Sequence, residues 1–198
     1  MSEQTPLDWL TDEHCQLQLQ AAELEATMRT RSFARGPGRE QMLATFGQRA
    51  AMFAQDLAAH QRKEDEVVFP DARYLLDCTT TSPVLTQFFV GEAEEDVFTH
   101  ATLLAQTEEF IRLLPGLRRA KARAHALSVL SMLGQLLERH TAHEDGVVFP
   151  LLAGALSAEQ LSAIGLRFGG YRSPGDLRDP AGLAQQGLVE LGSRDDLG

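Results

Sequence analysis

The chain has 198 residues, 43% of them hydrophobic and 23% charged, with a formal net charge of −10. That length suits one compact domain with a sizeable core, and the acidic balance argues against nucleic acid or an anionic membrane as partner, since both are polyanions. No apolar run approaches the ~20 residues needed to span a bilayer, the start MSEQTPLDWLTDEH lacks the basic and apolar parts of a secretory signal, and Cys15 and Cys78 form no CxxC pair, so a reducing cytoplasm is the expected compartment.

Helical periodicity dominates and strand signals are nearly absent. Thr5-Pro6 supplies an N-cap followed by proline at the first helical position. Leu7, Leu10, His14, Leu17, Ala21, Leu24 and Met28 then recur at spacings of three and four, one inward stripe that carries His14. Arg35-Gly36-Pro37-Gly38 reads as a turn. A second stripe runs Leu43, Phe46, Ala50, Phe53, Leu57, His60, Glu64, Val67. Ser82-Pro83 opens a third helix, with Leu85, Phe89, Glu92, Asp96, His100, Leu103, Thr107, Phe110 and Leu114 on its stripe and Pro115-Gly116 at its end. The fourth runs Leu130, Leu133, Leu137, His140, Glu144, Val147 and then Pro150. Four such helices predict an all-α, up-down-up-down four-helix bundle over residues 1–155. In the extension 156–198, Ser157-Ala-Glu-Gln160 predicts a capping box and a short helix to about Phe168. The Gly-, Pro- and Asp-rich remainder reads as an irregular tail, either draped on the bundle or engaged with a second copy in a homodimer.

One stretch occurs twice. Residues 60–70 read HQRKEDEVVFP and residues 140–150 read HTAHEDGVVFP, and seven of the eleven positions agree. His60 and Glu64, like His140 and Glu144, stand four residues apart on one helix face. Counting back from helix ends expected near residues 30, 40, 114 and 117, at ~1.5 Å per residue, puts His14, His60, His100 and His140 within about 13 Å of a common level. Four imidazoles and two carboxylates therefore converge in the core.

A buried neutral histidine is satisfied by one or two hydrogen bonds, whereas a buried carboxylate without a partner is very costly. Two facing carboxylates must take up protons or bind cations. A dinuclear metal centre removes the difficulty, because the cations neutralise Glu64 and Glu144 and the imidazoles supply further donors. A mixed imidazole and carboxylate set suits iron or manganese better than a structural zinc.

A lone His in the first helix, HxxxE in the second followed by an apolar run and FP, His in the third, and a second HxxxE in the fourth resemble the hemerythrin HHE cation-binding family over residues 7–155. The resemblance implies a hemerythrin-like bundle holding two non-haem iron ions, oxo- or hydroxo-bridged, with His14, His60, Glu64, His100, His140 and Glu144 as ligands. The oxygen-carrying hemerythrins have a fifth histidine in an HxxxH pair of the third helix; here that position is Asp96. The pattern is closer to the four-His, two-Glu branch, which includes iron–sulfur-cluster repair proteins. Those carry a paired-cysteine extension ahead of the bundle, whereas these residues open on the first bundle helix.

With about five ligands per metal, an open position is expected to admit a small molecule through apolar walls. The function expected is binding, sensing or storing O2 or NO; the alternatives are an oxidoreductase acting on peroxide or nitric oxide, and an iron donor in cluster repair. Of the remaining polar residues, Asp65 and Asp145 lie about 100° round the helix from their glutamates and are expected either to steer a neighbouring histidine or to face solvent. Glu92 and Asp96 are expected to face solvent where the third helix overruns the bundle rather than to line an access path, His143 to lie in solvent or make an outer hydrogen bond rather than supply a fifth imidazole, His125 to be structural, and Cys15 to be an inert thiol.

Overall fold

The computed structural model describes residues 4–30, 33, 38–79 and 82–168, and the irregular tail expected after Phe168 lies outside them. Every element among the described residues is helical: α1 (Pro6–Arg29), α2 (Arg39–Lys63), α3 (Phe69–Thr79), α4 (Pro83–Leu113), α5 (Ala120–His143), α6 (Phe149–Ala155) and α7 (Ala158–Leu166). α1 packs against α2 and α5, and α4 packs against the same two, so α1 and α4 are diagonal partners, as are α2 and α5. That arrangement is an up-down-up-down four-helix bundle. No single helix among the described residues is long and apolar enough to cross a membrane.

Two of the three helix starts read from the sequence close as capping boxes, while at Ser82 the helix opens on Pro83 without a side-chain cap bond. Thr5 accepts from the Asp8 backbone N–H while Asp8 accepts from the Thr5 N–H, a closed capping box ahead of Pro6. Ser157 and Gln160 close a second box at the start of α7. Gly38 precedes α2 with φ of 78°, a left-handed conformation that a side chain would strain.

Pro70 and Pro150, at the end of the repeated stretch, do not end their helices. Pro lacks the N–H that an α-helix would bond to the carbonyl four residues back, and its ring crowds that carbonyl. The chain absorbs this with one extra residue in the preceding turn. Glu64–Val68 and Glu144–Val148 are π-helical, closed by Phe69 N–H to the Glu64 carbonyl and by Phe149 N–H to the Glu144 carbonyl. The helices then continue as α3 and α6. The two turns differ in what they bury: Val67 and Val68 are both buried in the first. Val147, expected on the inward stripe, is 37% exposed, while Val148 is buried.

Two apolar clusters fill the bundle. One lies toward the α1–α2 and α4–α5 connections and includes Leu17, Leu24, Phe46, Phe53, Leu57, Leu103, Phe110, Leu133 and Leu137. The other occupies the opposite end, where Leu7, Leu10, Val68, Phe69, Phe89, Phe149 and Leu152 meet Leu161, Ile164 and Phe168 from α7 and the turn after it. α7 fits against α1 so closely that a Cβ on Gly165 would stand 2.4 Å from Pro6. Between the clusters lies a polar layer.

Candidate metal centre

Each of the four bundle helices puts one histidine into the layer, and the diagonal pair that carries the repeated stretch adds the glutamates. His14, His60, His100, His140, Glu64 and Glu144 are each at most 6% exposed. The side chains group into two tetrads that share both carboxylates: His14, His60, Glu64, Glu144 and Glu64, His100, His140, Glu144, each with its donor atoms within 4.8 Å of one another. Glu64 Oε1 lies 3.2 Å from His60 Nε2 and 3.5 Å from His14 Nε2, and its Oε2 lies 3.3 Å from His100 Nε2. Glu144 Oε2 lies 3.2 Å from both His14 Nε2 and His140 Nε2. The Nε2 atoms of His100 and His140 face each other at 2.8 Å.

The outer faces of the imidazoles are held by carboxylates from neighbouring helices. His100 Nδ1 is 2.8 Å from Asp65, His14 Nδ1 is 3.0 Å from Asp145, and His60 Nδ1 is 2.9 Å from Glu13. His140 Nδ1 faces Asp96 at 3.5 Å. An ionised carboxylate only accepts, so each Nδ1 facing one carries a proton, and in the neutral ring the Nε2 lone pair turns inward. The phenyl ring that ends each π turn then lies flat against a histidine. Phe149 stacks on His14 with ring centroids 5.5 Å apart, and Phe69 stacks on His100 at 6.3 Å. In each repeat, the glutamate enters the centre, the next aspartate holds the Nδ1 of a histidine on an adjacent helix, and the phenylalanine covers that same ring.

Without cations, the layer takes up protons. Burial alone would lower His14, but Asp145, Glu144 and Glu64 outweigh it and push the imidazole up to about 12. His60 is likewise opposed by burial and pushed up to about 9, chiefly by the charge of Glu64 and the bond to Glu13. Burial and the adjacent Glu64 charge push Glu144 up to about 7. Burial also works to raise Glu64, but His60, His14 and His100 together hold it well below the usual carboxylate range. Even so, His14 Nε2, His60 Nε2 and all four oxygens of Glu64 and Glu144 are buried without a hydrogen-bond partner. Six unsatisfied polar atoms aimed at one small volume are what a pair of cations would satisfy. The donor set fits the metals inferred from the sequence, since it has nitrogen and carboxylate oxygen and no thiolate.

Other positions depart from expectation. Asp96 was expected to face solvent, yet it is 2% exposed, because α4 remains packed on α5 at that level. Asp65 and Asp145 take the steering role rather than the solvent one. Glu13, which the helical stripe does not include, contacts the centre through His60. Its only sequence signal is its place beside His14. His143 stays outside the cluster and pairs with Glu92 at 2.6 Å. His125, expected to be structural, is 59% exposed on the side chain and sits 3.5 Å from Glu109 on the surface. Cys15 and Cys78 are free and exposed.

The surroundings of the two tetrads differ. A groove of about 550 Å³ between α3 and α4 reaches Asp65 and Phe69, which hold the outer nitrogen and cover the face of His100. Around Phe149, beside His14, α7 packs in instead, through Leu161 and Ile164.

Fold and site together define an all-α bundle with a buried histidine–glutamate cluster able to hold metal. No protein-family model matches the chain, and no curated protein matches it.

Proposed function

We propose that the protein is a hemerythrin-like, non-haem di-iron protein that binds, senses or stores a small diatomic ligand, O2 or NO. The observation that carries this reading is the sharing of both buried carboxylates between two tetrads of donors. His14 and His60 would hold one iron, His100 and His140 the other, and Glu64 and Glu144 would bridge them. With two nitrogens and two carboxylate oxygens offered to each ion, a ferrous pair would supply reversible or redox chemistry with diatomics and peroxide.

The chain's own residues supply the rest. Glu64 and Glu144 provide two negative charges against the four of a diferrous pair, and the outer carboxylates offset part of the remainder. Asp65, Asp145 and Glu13 fix the tautomer and direction of their imidazoles. Phe69, Phe149 and the flanking apolar clusters exclude water and admit only small uncharged molecules. A cytoplasmic setting fits the two exposed free thiols.

Anaerobic reconstitution with ferrous iron tests the reading. The expected result is about two irons per chain, with visible spectra that change on addition of NO and change reversibly with O2. Fewer than about one iron per chain rejects it. Oxygen evolution from peroxide well above that of free iron would move the assignment to an oxidoreductase.

A further inference from the structure

The eighty-residue repeat gives the centre an approximate two-fold plan, and the outer carboxylates break it. On the His14/His60 side, both acceptors are shared with other donors. Glu13 holds His60 Nδ1 and also pairs with the ammonium of Lys63, which is itself only 4% exposed. Asp145 Oδ1, the oxygen that holds His14 Nδ1, also accepts from Thr11 Oγ1 at 2.8 Å. On the His100/His140 side, neither acceptor is shared among the described residues. Asp65 meets His100 alone, and Asp96 is buried with Oδ1 toward His140 and Oδ2 without a hydrogen-bond partner. In the repeated stretch the counterpart of Lys63 is His143, which turns away to Glu92. One side therefore faces two undivided carboxylates, Asp65 at hydrogen-bond distance from His100 and Asp96 at 3.5 Å from His140, and the other two whose charge is partly drawn off, one of them by a fixed positive charge.

An outer carboxylate raises the basicity of the imidazole it holds and attracts the cation beyond it. An ammonium on that carboxylate does the reverse, and in a buried layer its charge is weakly screened. We infer that the two cation positions are unequal: the His100/His140 position fills first and empties last, and the Lys63–Glu13 pair makes the His14/His60 position the exchangeable one. The inference rests on the dinuclear reading above and adds an order to it.

The test is a titration of the metal-free protein with cobalt(II), whose visible spectrum reports each imidazole-bound ion, in competition with a chelator of known affinity. Two steps are expected, separated by about tenfold or more in dissociation constant. His60→Gln should remove the weaker step and His140→Gln the tighter one. Lys63→Met should tighten the weaker step and narrow the gap, and Asp96→Asn should weaken the tighter step and narrow it from the other side. Circular dichroism of each metal-free variant checks that the bundle is intact. Two equal steps in the unmodified protein, or His60→Gln removing the tighter step, would overturn the inference while leaving the dinuclear reading in place. A gap that neither Lys63→Met nor Asp96→Asn changes would also overturn it. Uptake of a single cobalt would defeat the dinuclear reading, and the order with it.

Discussion

Along α1, two neighbouring segments follow opposite rules. From Leu17 to Met28 the inward face is wholly apolar and meets Phe46, Phe53 and Phe110 from the other helices. One turn earlier, at His14, the same face meets two buried carboxylates and three more imidazoles. The apolar segment stabilises the fold whatever the solution contains, because its contribution is area removed from water. The polar layer stabilises it only when something positive stands between the carboxylates. On the dinuclear reading proposed above, the metal-free centre depends on protons for its positive charge and the loaded one on cations, so fold and function can be perturbed separately.

The sharpest separation comes from Glu64→Gln combined with Glu144→Gln. Loading should stabilise the unmodified protein by about 4 kcal/mol per cation at a thousandfold excess over Kd. The double variant should gain nothing, and calorimetry with and without ferrous iron reads the difference. Phe53→Ala tests the other segment. Removing that fully buried ring should cost about 3–5 kcal/mol. Denaturant unfolding should give the same decrement with and without metal, and a decrement that disappeared on loading would break the comparison.

Proton uptake gives a third test. Glu144 is raised from 4.5 to about 7 and His60 from 6.5 to about 9, so each binds its proton more tightly folded than unfolded. Their contribution is full below the unfolded value and is lost as pH rises through the folded one. The lowered Glu64 acts the other way, its contribution being lost in the acid range as pH falls. The melting temperature of metal-free protein should therefore fall between pH 6 and pH 9, and that of loaded protein should stay nearly flat. A flat profile without metal would mean the layer is not held by protons.

Smaller effects follow. Asp65→Asn or Asp145→Asn should weaken metal binding by about ten- to a hundredfold without unfolding the bundle. His143→Ala lies outside both tetrads and should leave metal content unchanged, with stability within about 0.5 kcal/mol as for other surface positions. Loss of metal from His143→Ala would place that residue inside the centre after all.

Much of this was legible because a helix reports its inward face every three or four residues. His14, His60, Glu64, His100, His140 and Glu144 stood out as polar letters on apolar stripes, and the structure brings all six together. What stayed hidden depends on relations between helices. Glu13 lies beside its helix's stripe and becomes important only because α2 brings His60 and Lys63 to it. Asp96 was on the stripe, but its burial depends on how closely α5 packs at that height. The π turns stayed hidden for a local reason. Pro70 and Pro150 signal a helix end by missing N–H groups, and a π turn satisfies the same constraint without ending anything.

Those turns have a consequence for how the chain tolerates change. Glu64, Asp65 and Phe69 act on the centre from fixed offsets along one backbone, and so do Glu144, Asp145 and Phe149. A single residue lost between the glutamate and the phenylalanine would return the turn to 3.6-residue winding and set the following proline ring against the carbonyl four residues back. Nearly all the composition would remain and the geometry would be gone. At these two places the chain can exchange letters far more readily than it can change length.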